Sequence, residues 1–297
     1  MKSVQINRYG SSEAIEINQN TPSPKLSPGK VLVDIKAAGI NPVDWKIREG
    51  YMKQVISLQF PSILGMDFSG IIKQIGEDIS SNYKQGDEIY GQASVTKGGS
   101  GAFAEIALTN IENIALKPKS LSHTEAAALP LVGVSAWQAL VENMRLSHEQ
   151  KILIHGGAGG IGSISIQLAK NLGTYVTTTA NSDDKQFVQN IGADKVIDYK
   201  AQSFEELLND YDAVFDTIGG ETYTKSFKVL KKDGIIVSML EHPNSDLMQH
   251  FGVKAIFQFT QVNNDRLARL AQWVDKNNIK INVDKTFTLD ETAKALD

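Results

Sequence analysis

The run Lys151-Ile152-Leu153-Ile154-His155-Gly156-Gly157-Ala158-Gly159-Gly160-Ile161-Gly162 constrains the fold more than any other part of this chain. A short apolar run ends in clustered glycines, and apolar residues then recur at helical spacing, at Ile161, Ile164 and Leu168. This reads as a buried strand, Lys151–His155, a tight turn and a helix start. The spacing Gly157-x-Gly159-x-x-Gly162 matches a dinucleotide-binding turn. There one glycine permits the bend, one lets bare main chain approach a pyrophosphate, and one lets the helix pack close to the strand. The helix N-terminus, with Gly160 and Ile161, offers unpaired N–H groups and partial positive charge to phosphates.

The chain changes character near residue 120. Before it, Val31–Ile35, Phe68–Ile75, Glu88–Gln92 and Phe103–Leu108 read as strands, with prolines between such runs. This part is expected to be an irregular β domain. From Ser122 the capping box Ser122-x-x-Glu125 opens a mostly apolar helix, expected from Ala126 to Val141. Strands then alternate with helices: Tyr175–Ala180, Lys195–Asp198, Asp212–Asp216 and Gly234–Met239 against Gly160–Leu172, Asp184–Asn190, Ser203–Leu208, Thr222–Leu230 and Asp265–Asn277. Such alternation predicts an α/β fold, a doubly wound parallel sheet with helices on both faces.

Composition excludes several functions. A net charge of −4 without a basic patch argues against nucleic acid. The absence of cysteine removes disulfides, thiolate nucleophiles and cysteine-bound zinc. No apolar run approaches the ~18 residues of a membrane span. The N-terminus reads as a strand without a secretory apolar core, so a cytoplasmic location is expected.

Read together, the two parts resemble a known family. Ala38-Gly39-Ile40-Asn41-Pro42-Val43-Asp44-Trp45-Lys46, Gly65-Met66-Asp67-Phe68-Ser69-Gly70, Pro130-Leu131-Val132-Gly133-Val134-Ser135-Ala136-Trp137, the glycine turn and Phe215-Asp216-Thr217-Ile218-Gly219-Gly220 occur in the family's order. The chain resembles a medium-chain dehydrogenase/reductase of the zinc-independent quinone oxidoreductase branch, and its Asn41–Lys46 stretch looks most like enone and alkenal reductases. The resemblance implies a GroES-like catalytic domain over 1–121, joined by 282–297, and a Rossmann NADP-binding domain over 122–281. NADP and substrate would share the cleft between them. Among cofactor contacts it implies Asn41, Lys46, Val132, Thr217, Ile218, Ser238 and Met239 beside the turn residues. It makes a homodimer plausible. It also implies a further strand beyond the last helix. This chain stops at Asp297, within a helix opened by Thr288-x-x-Glu291, so the first domain is expected to expose an edge.

Zinc-dependent relatives hold their metal at the positions of Asn41, Met66 and Asp67. An amide and a thioether are poor zinc ligands, and the five histidines show no metal-binding spacing, so no metal is expected. His155, at the strand end, is expected to support the turn. An NAD site places an acid after the second strand, for the ribose hydroxyl. Here that strand ends in Thr179-Ala180-Asn181-Ser182, which leaves room for a 2′-phosphate, with Lys185 and Tyr199 as partners. Asp183 and Asp184 either cap the next helix or lower NADP selectivity.

The chemistry needs a donor at the substrate oxygen. Asn41, Lys46 and Tyr51 are the candidates, with Asn41 and Lys46 expected mainly on the cofactor. Tyr51 either polarises the substrate oxygen or is a loop aromatic closing the cleft. Phe257 and Phe259 either line the pocket or pack in the core. The expected function is NADPH-dependent reduction of an enone, alkenal or quinone. The alternative is a nucleotide-binding redox sensor or structural protein without turnover.

Overall fold

The structure, a computed structural model, describes residues 1–54, 57–77 and 83–297. The chain packs as two compact units, Met1–Leu131 with Val262–Asp297, and Val132–Gln261. By packing, residues 122–131 and 262–281 therefore lie with the first unit, a different division from the domain limits expected at 121/122 and 281/282.

The second unit holds a six-stranded parallel sheet. Its spatial order is Lys195–Asp198, Tyr175–Ala180, Lys151–Ile154, Tyr211–Asp216, Leu230–Ser238, Lys254–Phe257. The order reverses direction between Lys151–Ile154 and Tyr211–Asp216. That reversal opens a crevice at the carboxyl ends of these strands, where doubly wound sheets bind ligands. The sheet is the expected one with a sixth strand added. Lys254–Phe257, and the helix Ser245–Phe251 before it, were not anticipated. Leu153, Val214, Ile236 and Phe227 are fully buried in the core on one face.

The first unit carries a five-stranded antiparallel sheet, ordered Ile106–Asn110, Lys30–Ala38, Asp67–Ile75, Glu88–Gln92, Ile114–Leu116. A three-stranded sheet of Ile15–Asn18, Ser3–Ile6 and Ser62–Ile63 completes it. The strand expected at Phe103–Leu108 begins only at Ile106, because Phe103 bonds elsewhere: its carbonyl accepts the Val4 N–H (2.8 Å) and its N–H donates to Leu64 (2.9 Å). Lys30–Ala38 pairs with Ile106–Asn110 only as far as Asp34. Beyond that point, a cavity of about 710 Å³ is lined by Ile35–Ile40 and by Asn282–Leu289.

The long helix expected from Ala126 to Val141 is broken. The capping box forms, with Glu125 Oε2 accepting the Ser122 N–H at 2.8 Å, but the helix ends at Ala127. Pro130 has no N–H to continue the ladder and disfavours helical geometry just before it. It starts a new helix, Pro130–Trp137, which runs into a wider π-turn over Gln138–Asn143.

Candidate functional site

The expected site residues fall into two groups, one in each unit. In the second unit, the turn has the predicted strand–turn–helix setting. Gly159 is the N-cap of the helix Gly160–Asn171 and offers no side-chain acceptor. The first N–H groups of a helix have no intrahelical partner, so Gly160, Ile161 and Gly162 present theirs to any anion above them. The glycines differ in what surrounds them. A Cβ on Gly157 would lie 2.0 Å from Thr178 Oγ1, and one on Gly162 only 2.1 Å from the Gly156 carbonyl oxygen. A Cβ on Gly159 would meet nothing nearer than that oxygen, at 3.4 Å. Gly157 and Gly162 are therefore glycine for packing, while Gly159 keeps open the space over the helix end. Val132 stands beside Gly160, its Cγ1 3.1 Å from where a Cβ would be.

His155 holds the turn, as expected, through a chain of hydrogen bonds. Ser226 Oγ donates to the Thr222 carbonyl (2.6 Å), so it accepts from His155 Nε2, 2.9 Å away. A neutral imidazole protonated at Nε2 accepts at Nδ1, and Thr179 Oγ1 lies there at 3.2 Å. Thr179 Oγ1 in turn accepts the Gly156 N–H at 3.1 Å. Burial pushes the imidazole down to about 4, against the pull of Asp216 and Glu205, so it is neutral at physiological pH.

The neighbouring loop is tied to the same turn. Thr217 Oγ1 donates to the His155 carbonyl at 2.9 Å, and Ile218 is 53% exposed beside Gly156. Asp216 is fully buried and accepts from the Ile218 and Gly219 N–H groups (3.0 Å each) and from Ser238 Oγ (2.7 Å). Ser238 Oγ also accepts from Leu240 and Glu241, and the Met239 N–H donates to the Asp216 carbonyl (3.0 Å). Thr217, Ile218, Ser238 and Met239 are thus brought to one rim. Asp216 organises that rim without being singled out for it. A lone acid closing an apolar strand was the available signal.

Past the second strand, Asn181 Nδ2 donates to Asp184 Oδ2 (2.6 Å) and Asn181 Oδ1 accepts the Asp184 N–H (3.0 Å). Asp184 occupies the N-cap of Lys185–Asn190, but its side chain caps nothing there; it is spent on Asn181. Ser182, Asp183 and Lys185 are exposed, and Tyr199 is 57% exposed. Lys185→Ala and Tyr199→Phe are each expected to weaken NADPH about tenfold, the value of roughly one charge-assisted hydrogen bond, and to leave NADH nearly unchanged. Titration of both nucleotides by fluorescence checks this. Equal losses for both would remove these residues as phosphate readers.

In the first unit, Asn41-Pro42-Val43-Asp44 forms a helix start. Asn41 is the N-cap, proline sits at the first helical position, and the helix spans Pro42–Arg48. That helix was not anticipated, though this capping pattern announces it. Asn41 is 5% exposed, and its Nδ2 donates to Asp67 Oδ2 at 3.0 Å. Tyr51 follows the helix, its N–H bonded to the Lys46 carbonyl (3.0 Å) and its ring edge-on to Trp45 at 5.7 Å. Lys46 Nζ lies 5.7 Å from the centre of the same indole. Tyr51 is 72% exposed, and its hydroxyl has no hydrogen-bond partner among the described residues. It is free to donate. Phe259 is 62% exposed, which rules out core packing for it, while Phe257 is half-buried against His242.

Among the described residues, no group of three or more His, Cys, Asp or Glu side chains is placed to hold a metal ion, and no helix is long and apolar enough to cross a membrane.

A doubly wound sheet with this turn, carried in one chain with a β-rich unit, defines a nucleotide-binding dehydrogenase class. Comparison with known proteins agrees. Residues 27–119 match the alcohol dehydrogenase GroES-like domain family, and residues 191–297 match the zinc-binding dehydrogenase family. The chain is 31% identical to the mitochondrial NAD(P)H oxidoreductase RTN4IP1 of Homo sapiens, over 98% of this chain and 84% of that protein. It is 35% identical to the chloroplastic NADPH-dependent alkenal/one oxidoreductase of Arabidopsis thaliana, over 80% of this chain and 62% of that protein. The solved quinone oxidoreductase from Coxiella burnetii superposes with a TM-score of 0.88 at 31% identity, covering 99% of this chain and 94% of that one. The chain belongs to the medium-chain dehydrogenase/reductase superfamily, in its quinone oxidoreductase branch.

Proposed function

We propose that this protein is an NADPH-dependent oxidoreductase that reduces an enone, alkenal or quinone without zinc. The observation that carries the reading is the open space over Gly159 at an uncapped helix N-terminus, walled by glycines that cannot carry a side chain. That cradle fits a pyrophosphate. The relatives' names supply the acceptor class. Freedom from zinc rests on the donor set: the Asn41 amide turns its NH₂ group toward Asp67 and offers no lone pair there. A cytoplasmic homodimer is the simplest state for such an enzyme.

When bound, the nicotinamide supplies the hydride. The protein's part is to hold and polarise. The N–H groups at Gly160–Gly162 and the helix dipole bind the pyrophosphate. Ser182, Lys185 and Tyr199 receive the 2′-phosphate. The Thr217–Ile218 and Ser238–Met239 rim, kept in place by Asp216, borders the remainder of the cofactor. Tyr51 donates a hydrogen bond to the substrate oxygen as negative charge develops on it, and Asn41 and Lys46 orient the reactants.

NADPH consumption by the intact protein over a panel of enones and quinones tests the reading. Tight NADPH binding without turnover on any of them would leave a nucleotide-binding sensor. Within the panel, Tyr51→Phe is expected to lower the single-turnover rate on an enone about tenfold. A well-aligned oxyanion donor is worth about 2.7–4 kcal/mol, and the exposure of this one reduces its share. Quinones, whose product is a stabilised phenolate, should respond less. An unchanged enone rate would make Tyr51 a lid residue only.

A further inference from the structure

Asp67 is fully buried, yet its carboxylate gathers three N–H donors from three separate elements. Gln92 Nε2 donates to Oδ1 at 2.7 Å. Asn41 Nδ2 and the Leu131 main-chain N–H donate to Oδ2 at 3.0 and 2.9 Å. An ionised carboxylate only accepts hydrogen bonds. The Asn41 amide must therefore turn its NH₂ group toward Asp67, which fixes the direction of its carbonyl oxygen and of its second N–H. From the other side, Asp44 Oδ2 accepts the Asn41 main-chain N–H at 2.8 Å. Asn41 is thus clamped by two buried carboxyl groups, and only a sliver of it reaches the surface.

We propose that Asp67 is a positioning residue for the reaction: its ionised carboxylate locks the Asn41 amide in the one orientation that serves the reactants. The inference rests on the reading of Asn41 as a reactant contact. A protonated Asp67 would present a hydroxyl and let the amide turn over, exchanging donor for acceptor where the reactants meet it.

The charges around the hub support this. Burial pushes Asp67 up to about 6, while Gln92, Leu131, Asn41 and the ammonium of Lys97 pull it down. Burial pushes Asp44 up to about 8 against the Asn41 N–H, and Asp67 adds to the rise. Asp44 Oδ1 has no partner among the described residues. At pH 7 the shared negative charge therefore sits on Asp67, and Asp44 is the neutral acid. Lys97 is itself held down by burial and by Arg266, against the pull of Asp67.

Two measurements test the proposal. The first follows the Asn41 side-chain amide by NMR from pH 5 to 8 in the cofactor-free protein. The second follows single-turnover enone reduction by NADPH over the same range. The wild type should show an amide transition near pH 6, with the rate falling about tenfold per pH unit below it. Gln92→Leu removes a donor to the carboxylate, so both transitions should move up together by about one unit, the ordinary size of a hydrogen-bond effect on such a group. Asp67→Asn should abolish both transitions and leave a low, flat rate. The Gln92 variant keeps the test valid if Asp67→Asn fails to fold. An amide without a transition, or a rate that ignores the amide, overturns the proposal. A wild type inactive on every acceptor would instead overturn the reductase reading. In that case NADPH affinity of the wild type and of Gln92→Leu over the same range decides for Asp67, because the 2′-phosphate itself titrates at about pH 6 in both. A fall whose midpoint moves up in the variant supports the lock, and a flat profile or an unmoved midpoint refutes it.

Discussion

Gly159→Val is expected to abolish NADPH binding while the protein stays folded. Gly159 has φ −74° and ψ 170°, an extended conformation that valine adopts readily. A new Cβ would have 3.4 Å to its nearest neighbour, so no clash disturbs the turn. The added methyls would instead stand over the helix N-terminus, where a phosphate would sit. Affinity for NADPH should fall at least a hundredfold, about 2.7 kcal/mol. Thermal unfolding of the nucleotide-free protein should shift by only about 2–4 °C, equivalent to roughly 1 kcal/mol in a domain of this size. Fluorescence titration and calorimetry give both numbers. Retained affinity would remove the basis for placing the pyrophosphate here.

Three residues on, Gly162→Ala should do the reverse. Its Cβ would lie 2.1 Å from the Gly156 oxygen and 2.7 Å from Gly157 Cα. Both are main-chain atoms and cannot swing aside. The helix must lift off the turn, in a region where Gly162, Ile164 and Ile166 are buried. Overpacking usually costs about 1–3 kcal/mol, and rigid neighbours put this case at or above the upper end. Tm without nucleotide should drop by about 10 °C, given about 2–4 °C per kcal/mol. NADPH affinity should weaken only as far as the displaced turn demands. An unchanged Tm would show that the helix has slack that its packing does not suggest.

These outcomes also mark how far the sequence could be read. The motif supplied all the glycines and the sheet that carries them, because the period of apolar residues and the spacing of glycines are local signals. It could not say which glycine guards a ligand and which guards a neighbour, because that depends on what the fold brings within 2–3 Å. Asp67 was legible only as one of the three positions at which zinc-dependent relatives hold their metal. Its three donors come from residues 41, 92 and 131, far apart in the chain. The helix Pro42–Arg48 has a local signal, Asn-Pro-x-Asp, in which the same residues that suggest chemistry also cap a helix. The break before Pro130 was equally local, and a continuous apolar pattern masked it. The strand Lys254–Phe257 is only four residues long and partly exposed at the sheet edge, and so short an apolar run does not separate a strand from the tail of a helix.

The hydrogen-bonded chain from Gly156 through Thr179 and His155 to Ser226 gives the turn its shape before any nucleotide arrives. A flexible glycine loop would lose main-chain freedom on binding, about 1–2 kcal/mol for each residue ordered. Here that ordering is already complete when the chain has folded. The affinity of the pyrophosphate contacts is then realised almost in full, and release does not have to wait for the loop to refold. A site built this way can bind firmly and still exchange its spent nucleotide on every cycle.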